Sequence, residues 1–384
     1  MKYFARLNSA FLIALLLVPD CGMAAPPVPE ADAPLPQLTI YAAKGPPDSC
    51  GPGCDRWIAI EGKIEAGAAA RVERFFRERK DTQRPIYFNS PGGEMRDSLT
   101  IGRLLRGRKV VGRVGRTVVD ACPGTQTDDA CTLIKTTRDE VTASIATRGV
   151  VCGSACTFLL FGAVTREVAP DALVAVHGPK VRMEFRLNVT EKRREEAIAK
   201  AYSEADRLTF AYVEEMGVSR QLMTLAESIS PESLHVLTRQ ELYRFRIDTR
   251  DFVETVWTLE KAQRPSVRKI AQVRNGDGFR KLEWQLFCDS KTRARLVFVD
   301  ELDKDATGTR IVAMVVGSEK PPEFARFPAR FGAYELWTAP IASDAMKNFF
   351  AVDVGAAWIS PRGPQGNASD AAPFCSQDGT IRDA

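Results

Sequence analysis

The sequence runs to 384 residues, 45% of them hydrophobic, with 53 lysines and arginines against 49 aspartates and glutamates. So even a charge balance leaves no concentrated basic face for nucleic acid, which is therefore not an expected partner. The length and apolar content suit about two folded domains, and beyond the N-terminal segment no apolar run approaches the roughly 20 residues of a membrane helix.

Lys2 and Arg6 precede an apolar run from Ala10 to Val18, and Gly22-Met23-Ala24 offers the small residues a signal peptidase reads. Residues 1–24 therefore read as a cleaved export signal, and the periplasm or the cell exterior is the expected location. Asp20, directly before Cys21, argues against a lipoprotein start. Residues 25–50 read as a proline-rich linker, with five prolines in its first half, 25–37.

An α/β domain is expected over 51–249. Trp57 to Ile60 reads as a strand, and Ile64, Ala68, Val72, Phe75 and Phe76 recur at helical spacing. Pro85 to Phe88 is a second strand, stopped by Pro91-Gly92-Gly93. A helical pattern follows over 94–106, then a strand from Lys109 to Val114. Such alternation implies right-handed crossovers and a mainly parallel sheet. Residues 116–148 interrupt it with a polar, Thr/Asp-rich insertion. It resumes with a strand at Gly149 to Val151, a helix through Phe158 and Leu160, and a strand at Leu173 to Val176. A long amphipathic helix over about 189–216 carries Ile198, Ala201, Ala205, Leu208 and Tyr212 on one face, fitted to cover the same sheet or to make a subunit contact. From residue 250 the rhythm changes to strands separated by polar turns, at 282–287, 293–299, 310–316, 331–337 and 349–354. Residues 250–384 therefore read as a mostly-β accessory domain.

Eight cysteines remain after Cys21, an even number that suits disulfides in an exported chain. Cys50-Gly-Pro-Gly-Cys54 is a tight turn, Cys122 and Cys131 bracket a polar loop, and Cys288 and Cys375 are the two in the last third. Cys152 and Cys156 would then pair with each other, bracing the turn between them, unless either pairs with the loop cysteines. Their Cys-x₃-Cys spacing is a weak match to redox or zinc motifs, so neither metal nor cofactor is expected.

Ser154, in Gly153-Ser154-Ala155, stands where a strand hands over to a helix, and His177 ends a later strand; the chain has only two histidines. A hydroxyl and an imidazole are what serine-nucleophile chemistry requires. The turn in Asn89-Ser90-Pro91-Gly92-Gly93 supplies backbone N–H groups that could bind an oxyanion. Ser154 by itself would be a helix cap and the glycines a simple connection; the combination points to a hydrolase. His235 is expected to have no chemical role.

Together these residues resemble the proteolytic subunit of Clp protease, in the Clp/crotonase superfamily, and more nearly exported bacterial members with a Cys-x-Ser-Ala-Cys motif. The resemblance covers about residues 56–248. It implies an α/β fold, a crotonase/Clp-like spiral of ββα units, here with the C-terminal mostly-β domain added. It also implies a homo-oligomer and hydrolysis of a peptide or protein substrate. By the same likeness Ser154 is the nucleophile and His177 the general base, and the N–H groups of Gly93 and Ala155 form the oxyanion hole. The family's acid position falls near Leu234, which cannot orient an imidazole; Glu232 and Asp248 are the nearby substitutes. The insertion, lying between the glycine turn and the serine, would cover the site or shape a groove. The alternative is a non-catalytic binding or envelope-assembly protein on the same fold, lacking the triad acid.

Overall fold

A computed structural model describes residues 36–342, apart from 80–82, 123, 182, 186–188, 261–264, 291–292 and 302–328. The export signal, the strands expected at 310–316 and 349–354, and Cys375 lie outside the described residues.

The first strands, β1 (Thr39–Lys44) and β2 (Arg56–Glu61), pair antiparallel across a loop closed by the Cys50–Cys54 disulfide. β1 falls within the stretch read as linker. The first run of prolines ends at Pro36, and Tyr41, Ala42 and Ala43 are buried in β1, so this part of the stretch is folded. Next come α1 (Ala68–Glu78), β3 (Ile86–Asn89), α2 (Met95–Gly107) and β4 (Val111–Val114). Ala68, Val72 and Phe76, four residues apart, are the buried face of α1. The insertion builds β5 (Arg116–Val119), α3 (Asp129–Thr137) and β6 (Val141–Ala146). After it come β7 (Val151–Gly153), α4 (Cys156–Gly162), β8 (Thr165–Glu167), β9 (Leu173–Val176), α5 (Glu191–Glu215) and α6 (Gln221–Glu227). Two short elements, β10 (His235–Val236) and α7 (Arg239–Arg244), follow.

These elements make a mixed α/β arrangement. One seven-stranded sheet has the order β5-β6-β1-β2-β3-β4-β8, in which β2–β3, β3–β4, β4–β8 and β1–β6 pair parallel. A three-stranded sheet, β10-β9-β7, leans on the first through a bridge from Ser90 to Cys152.

Period-2 alternation sends the two sides of β2 into different cores. Ile58 and Ile60 join Ile86 and Phe88 under the helices. Trp57 and Ala59 point the other way, to Tyr41, Tyr87, Val119, Val141 and Ala143. The insertion thus extends the sheet and seals its far face. A buried polar network holds it there. The Glu61 carboxylate accepts from the Tyr41 hydroxyl (2.8 Å), the Thr117 N–H (2.7 Å) and the Lys135 ammonium (3.1 Å). Trp57 Nε1 donates to Thr117 Oγ1 at 2.9 Å.

On the helical side, α2 and α4 touch through glycines: a Cβ on Gly162 would lie 2.2 Å from the Gly102 carbonyl oxygen. The buried Tyr212 of α5 donates its hydroxyl to the Phe158 carbonyl at 2.5 Å. Ala205, Thr209, Tyr212 and Val213 form the buried stripe of α5, so its C-terminal half covers its own domain, while Ile198 is exposed. Among the described residues no helix is long and apolar enough to cross a membrane.

Seven strands follow: β11 (Phe252–Glu254), β12 (Thr258–Glu260), β13 (Ser266–Asn275), β14 (Gly278–Ser290), β15 (Arg293–Glu301), β16 (Ala329–Phe331) and β17 (Tyr334–Ala342). They form an antiparallel sheet with its own core, including Trp284, Leu286, Leu296, Phe298 and Trp337. The single strand expected at 331–337 is instead a hairpin, because Gly332 turns the chain at φ 55°. Besides Cys50–Cys54, disulfides join Cys122–Cys131 and Cys152–Cys156, and Cys288 is also disulfide-bonded. Such bonds persist in a non-reducing compartment.

Candidate active site

Ser154 follows directly on β7 and takes φ 53°, a left-handed conformation that a side chain rarely adopts. Its N–H donates to the Ala175 carbonyl at 2.8 Å, and Thr157 Oγ1 donates to its carbonyl at 2.7 Å. The Cys152–Cys156 disulfide brackets it, with both cysteines fully buried. β7 and β9 run parallel with Gly153 beside Ala175. One residue further on, Ser154 comes level with Val176, and His177 lies just past the end of β9.

The glycine turn after β3 packs against this corner. Gly92 has φ 101°, and a Cβ built on it would lie 2.7 Å from Ser154 Cβ and 2.8 Å from the Ala155 nitrogen. Gly93 has φ 143°, and a Cβ there would lie 2.0 Å from the Ile64 carbonyl oxygen. The turn is pinned by Ile64, whose N–H donates to the Gly92 carbonyl (2.9 Å) and whose carbonyl accepts from the Glu94 N–H (2.7 Å). Neither the Gly93 nor the Ala155 N–H donates to any acceptor among the described residues. Ala155 is buried and caps α4, where the helix leaves its first N–H groups without intrahelical partners, whereas Gly93 is exposed.

Gly93, Ser154, Ala155 and His177 line one cavity of about 210 Å³. Phe158, Phe161, Leu222 and Met223 give it apolar walls, and Asp206 and Glu227 add carboxylates. His177 Nδ1 stands 2.6 Å from the Gly178 carbonyl oxygen. A carbonyl only accepts, so Nδ1 carries the proton and Nε2 is left as the basic nitrogen. Gly178 is itself fixed, its N–H donating to the Ile229 carbonyl at 3.0 Å. Among the described residues no hydrogen bond joins the Ser154 hydroxyl to His177, a spacing often loose without substrate.

The two acids considered from the sequence are engaged elsewhere. Asp248 is buried and accepts from Arg239 (2.9 Å), Arg250 (2.6 Å) and the Val168 N–H (2.8 Å). Burial alone would raise its carboxyl, but the hydrogen bonds from Arg250 and Arg239 hold it well below the usual range. Glu232 is exposed, accepts from the Ser230 hydroxyl at 2.7 Å and stands 3.5 Å from Lys180. Neither lines the cavity. His235 pairs with Glu241 at 3.1 Å, the glutamate of the α7 capping box.

No residue of the 116–148 insertion lines the cavity either. It occupies the far face of the sheet, because Trp57, Ala59 and Glu61 give it an apolar and ionic seat there. The reading that it covers the site is therefore set aside. Sequence reasoning missed Asp206, Glu227 and Lys180, single charged residues on segments rich in charge, with no local signal of their place.

No family model matches the chain, and no curated protein sequence matches it. Among solved structures it is similar to a mutant form of the 1510-N membrane-bound stomatin-specific protease, at 14% identity, covering 50% of this chain and 75% of that one with a TM-score of 0.30.

Proposed function

We propose that the chain is an exported serine hydrolase of the Clp protease kind, on a crotonase-like spiral of ββα units, and that it cleaves peptide bonds. Residues 51–249 would be the catalytic domain and 250–384 an accessory one. The observation that carries the reading is the pair of unengaged N–H groups, on Gly93 and Ala155, at the cavity that Ser154 and His177 share.

In this mechanism Ser154 Oγ attacks the substrate carbonyl while His177 Nε2 takes its proton. The Gly93 and Ala155 N–H groups stabilise the oxyanion, whose charge develops only on the way to the tetrahedral intermediate. His177 then protonates the leaving amine, and water repeats the cycle on the acyl-enzyme. The Gly178 carbonyl stands where a triad acid would, and fixes the same tautomer. A neutral dipole stabilises the imidazolium less than a carboxylate does, so turnover should be slow, with the oxyanion hole and base retaining part of the rate. The disulfides support the periplasm or the cell exterior as the location. Homo-oligomer formation follows from the resemblance, and light scattering would test it.

A fluorophosphonate probe should label folded, oxidised protein, and Ser154→Ala should abolish the labelling. Well-folded protein that stays unlabelled would count against catalysis. It would favour a binding or envelope-assembly protein, a reading motivated by the absence of a carboxylate on His177 Nδ1.

A further inference from the structure

The cavity's charged groups are unevenly matched. Asp206 on α5 and Glu227 on α6 both line it, and neither carboxylate accepts a hydrogen bond or joins an ion pair among the described residues. They oppose each other: partial burial and then the nearby Asp206 charge raise the Glu227 carboxyl. Lys180 also lines the cavity, and its ammonium stands 3.5 Å from Glu232, which is exposed and does not line it. Phe158, Phe161, Leu222 and Met223 line the same cavity as these carboxylates and Ser154. Apolar walls with two unpaired negative charges match a side chain with a long hydrocarbon stem and a cationic tip. For an acidic residue the lining offers one cation, Lys180, against two carboxylates.

We infer that the cavity selects a lysine or arginine side chain of the substrate, its stem against the apolar walls and its cation between Asp206 and Glu227. This rests on the hydrolase reading of the site and adds its substrate class. A rim charge pair in partial contact with water discriminates modestly, so the preference should be about tenfold rather than absolute.

The test is peptide binding to the full oxidised chain carrying Ser154→Ala, followed by fluorescence anisotropy. Two labelled peptides are compared, identical except that one carries lysine where the other carries norleucine, the uncharged stem. The lysine peptide should bind about tenfold more tightly, and Asp206→Asn with Glu227→Gln should bring the two peptides together by weakening the lysine peptide. Both substitutions are on the rim, so an unchanged melting temperature certifies the fold. Equal binding of the two peptides, or a lysine preference that survives the double substitution, overturns the inference. Charge-selective binding by a chain whose wild type never labels with fluorophosphonate would uphold the inference and sink the hydrolase reading alone.

Discussion

Replacing Cys152 and Cys156 together by alanine should slow labelling at Ser154 more than it weakens the fold. The disulfide closes a loop between residues four apart, and releasing so short a loop costs about 2 kcal/mol in chain entropy, with lost sulfur packing added. The local effect is separate. Ser154 is held at φ 53°, a conformation about 1 kcal/mol or more above the ordinary regions for a residue with a side chain. Without the staple the serine corner can relax. If the relaxed form gains about 1 kcal/mol, the reactive population falls to roughly a sixth. Urea unfolding would measure the first effect and the rate of fluorophosphonate labelling the second. Cys50→Ala with Cys54→Ala is the control: it opens a loop of the same sequence separation, outside the cavity lining. It should cost comparable stability and leave the labelling rate alone. Equal labelling rates for the two double variants would refute the argument that the Cys152–Cys156 bond positions the serine.

Other expectations follow from single contacts. Gly92→Ala places a methyl group 2.7 Å from Ser154 Cβ at φ 101°; it should cost about 2 kcal/mol or more and abolish labelling, measured by melting and probe kinetics. Asp248→Asn leaves the Arg239 guanidinium buried, its side chain 3% exposed, with a destabilisation of about 3 to 5 kcal/mol at neutral pH. Because the folded Asp248 carboxyl lies below the unfolded value of about 4, its contribution is present above that pH and fades as pH falls toward the folded value. The stability gap between wild type and Asp248→Asn should therefore narrow in acid, and a gap constant from pH 7 to pH 2 would contradict this. Lys135→Met strands the Glu61 carboxylate, with a cost of about 3 kcal/mol and faster hydrogen exchange across 116–148. Labelling at Ser154 should survive in the folded fraction.

Much of the α/β order was legible because its strands are short apolar runs cut by glycine turns, as at Trp57 to Ile60 and Leu173 to Val176. What escaped was held by charge. β13 buries Lys269, paired with Glu254 at 3.0 Å, while Arg268 pairs with Glu283 at 2.6 Å. Those residues break the apolar alternation that announces a strand. The insertion escaped similarly: Lys135 seats α3 on Glu61, an ion pair that hydrophobic periodicity cannot register. In the site, the glycines, Ser154, Ala155 and His177 were readable as local motifs, and the structure brings them to one cavity. The partner of His177 Nδ1 was not, since the acceptor is a backbone carbonyl, which every residue owns, and not a carboxylate. Asp206 and Glu227 reach one cavity from two different helices, α5 and α6, a convergence that no local spacing encodes.

The three described disulfides join each cysteine to the next one along the chain: 50 to 54, 122 to 131, 152 to 156. Among themselves these three links neither nest nor cross. A dithiol oxidase meeting the thiols in order of synthesis would thus make the correct pairs at first encounter, with no later shuffling. The serine corner would be riveted before β9 and its histidine arrived.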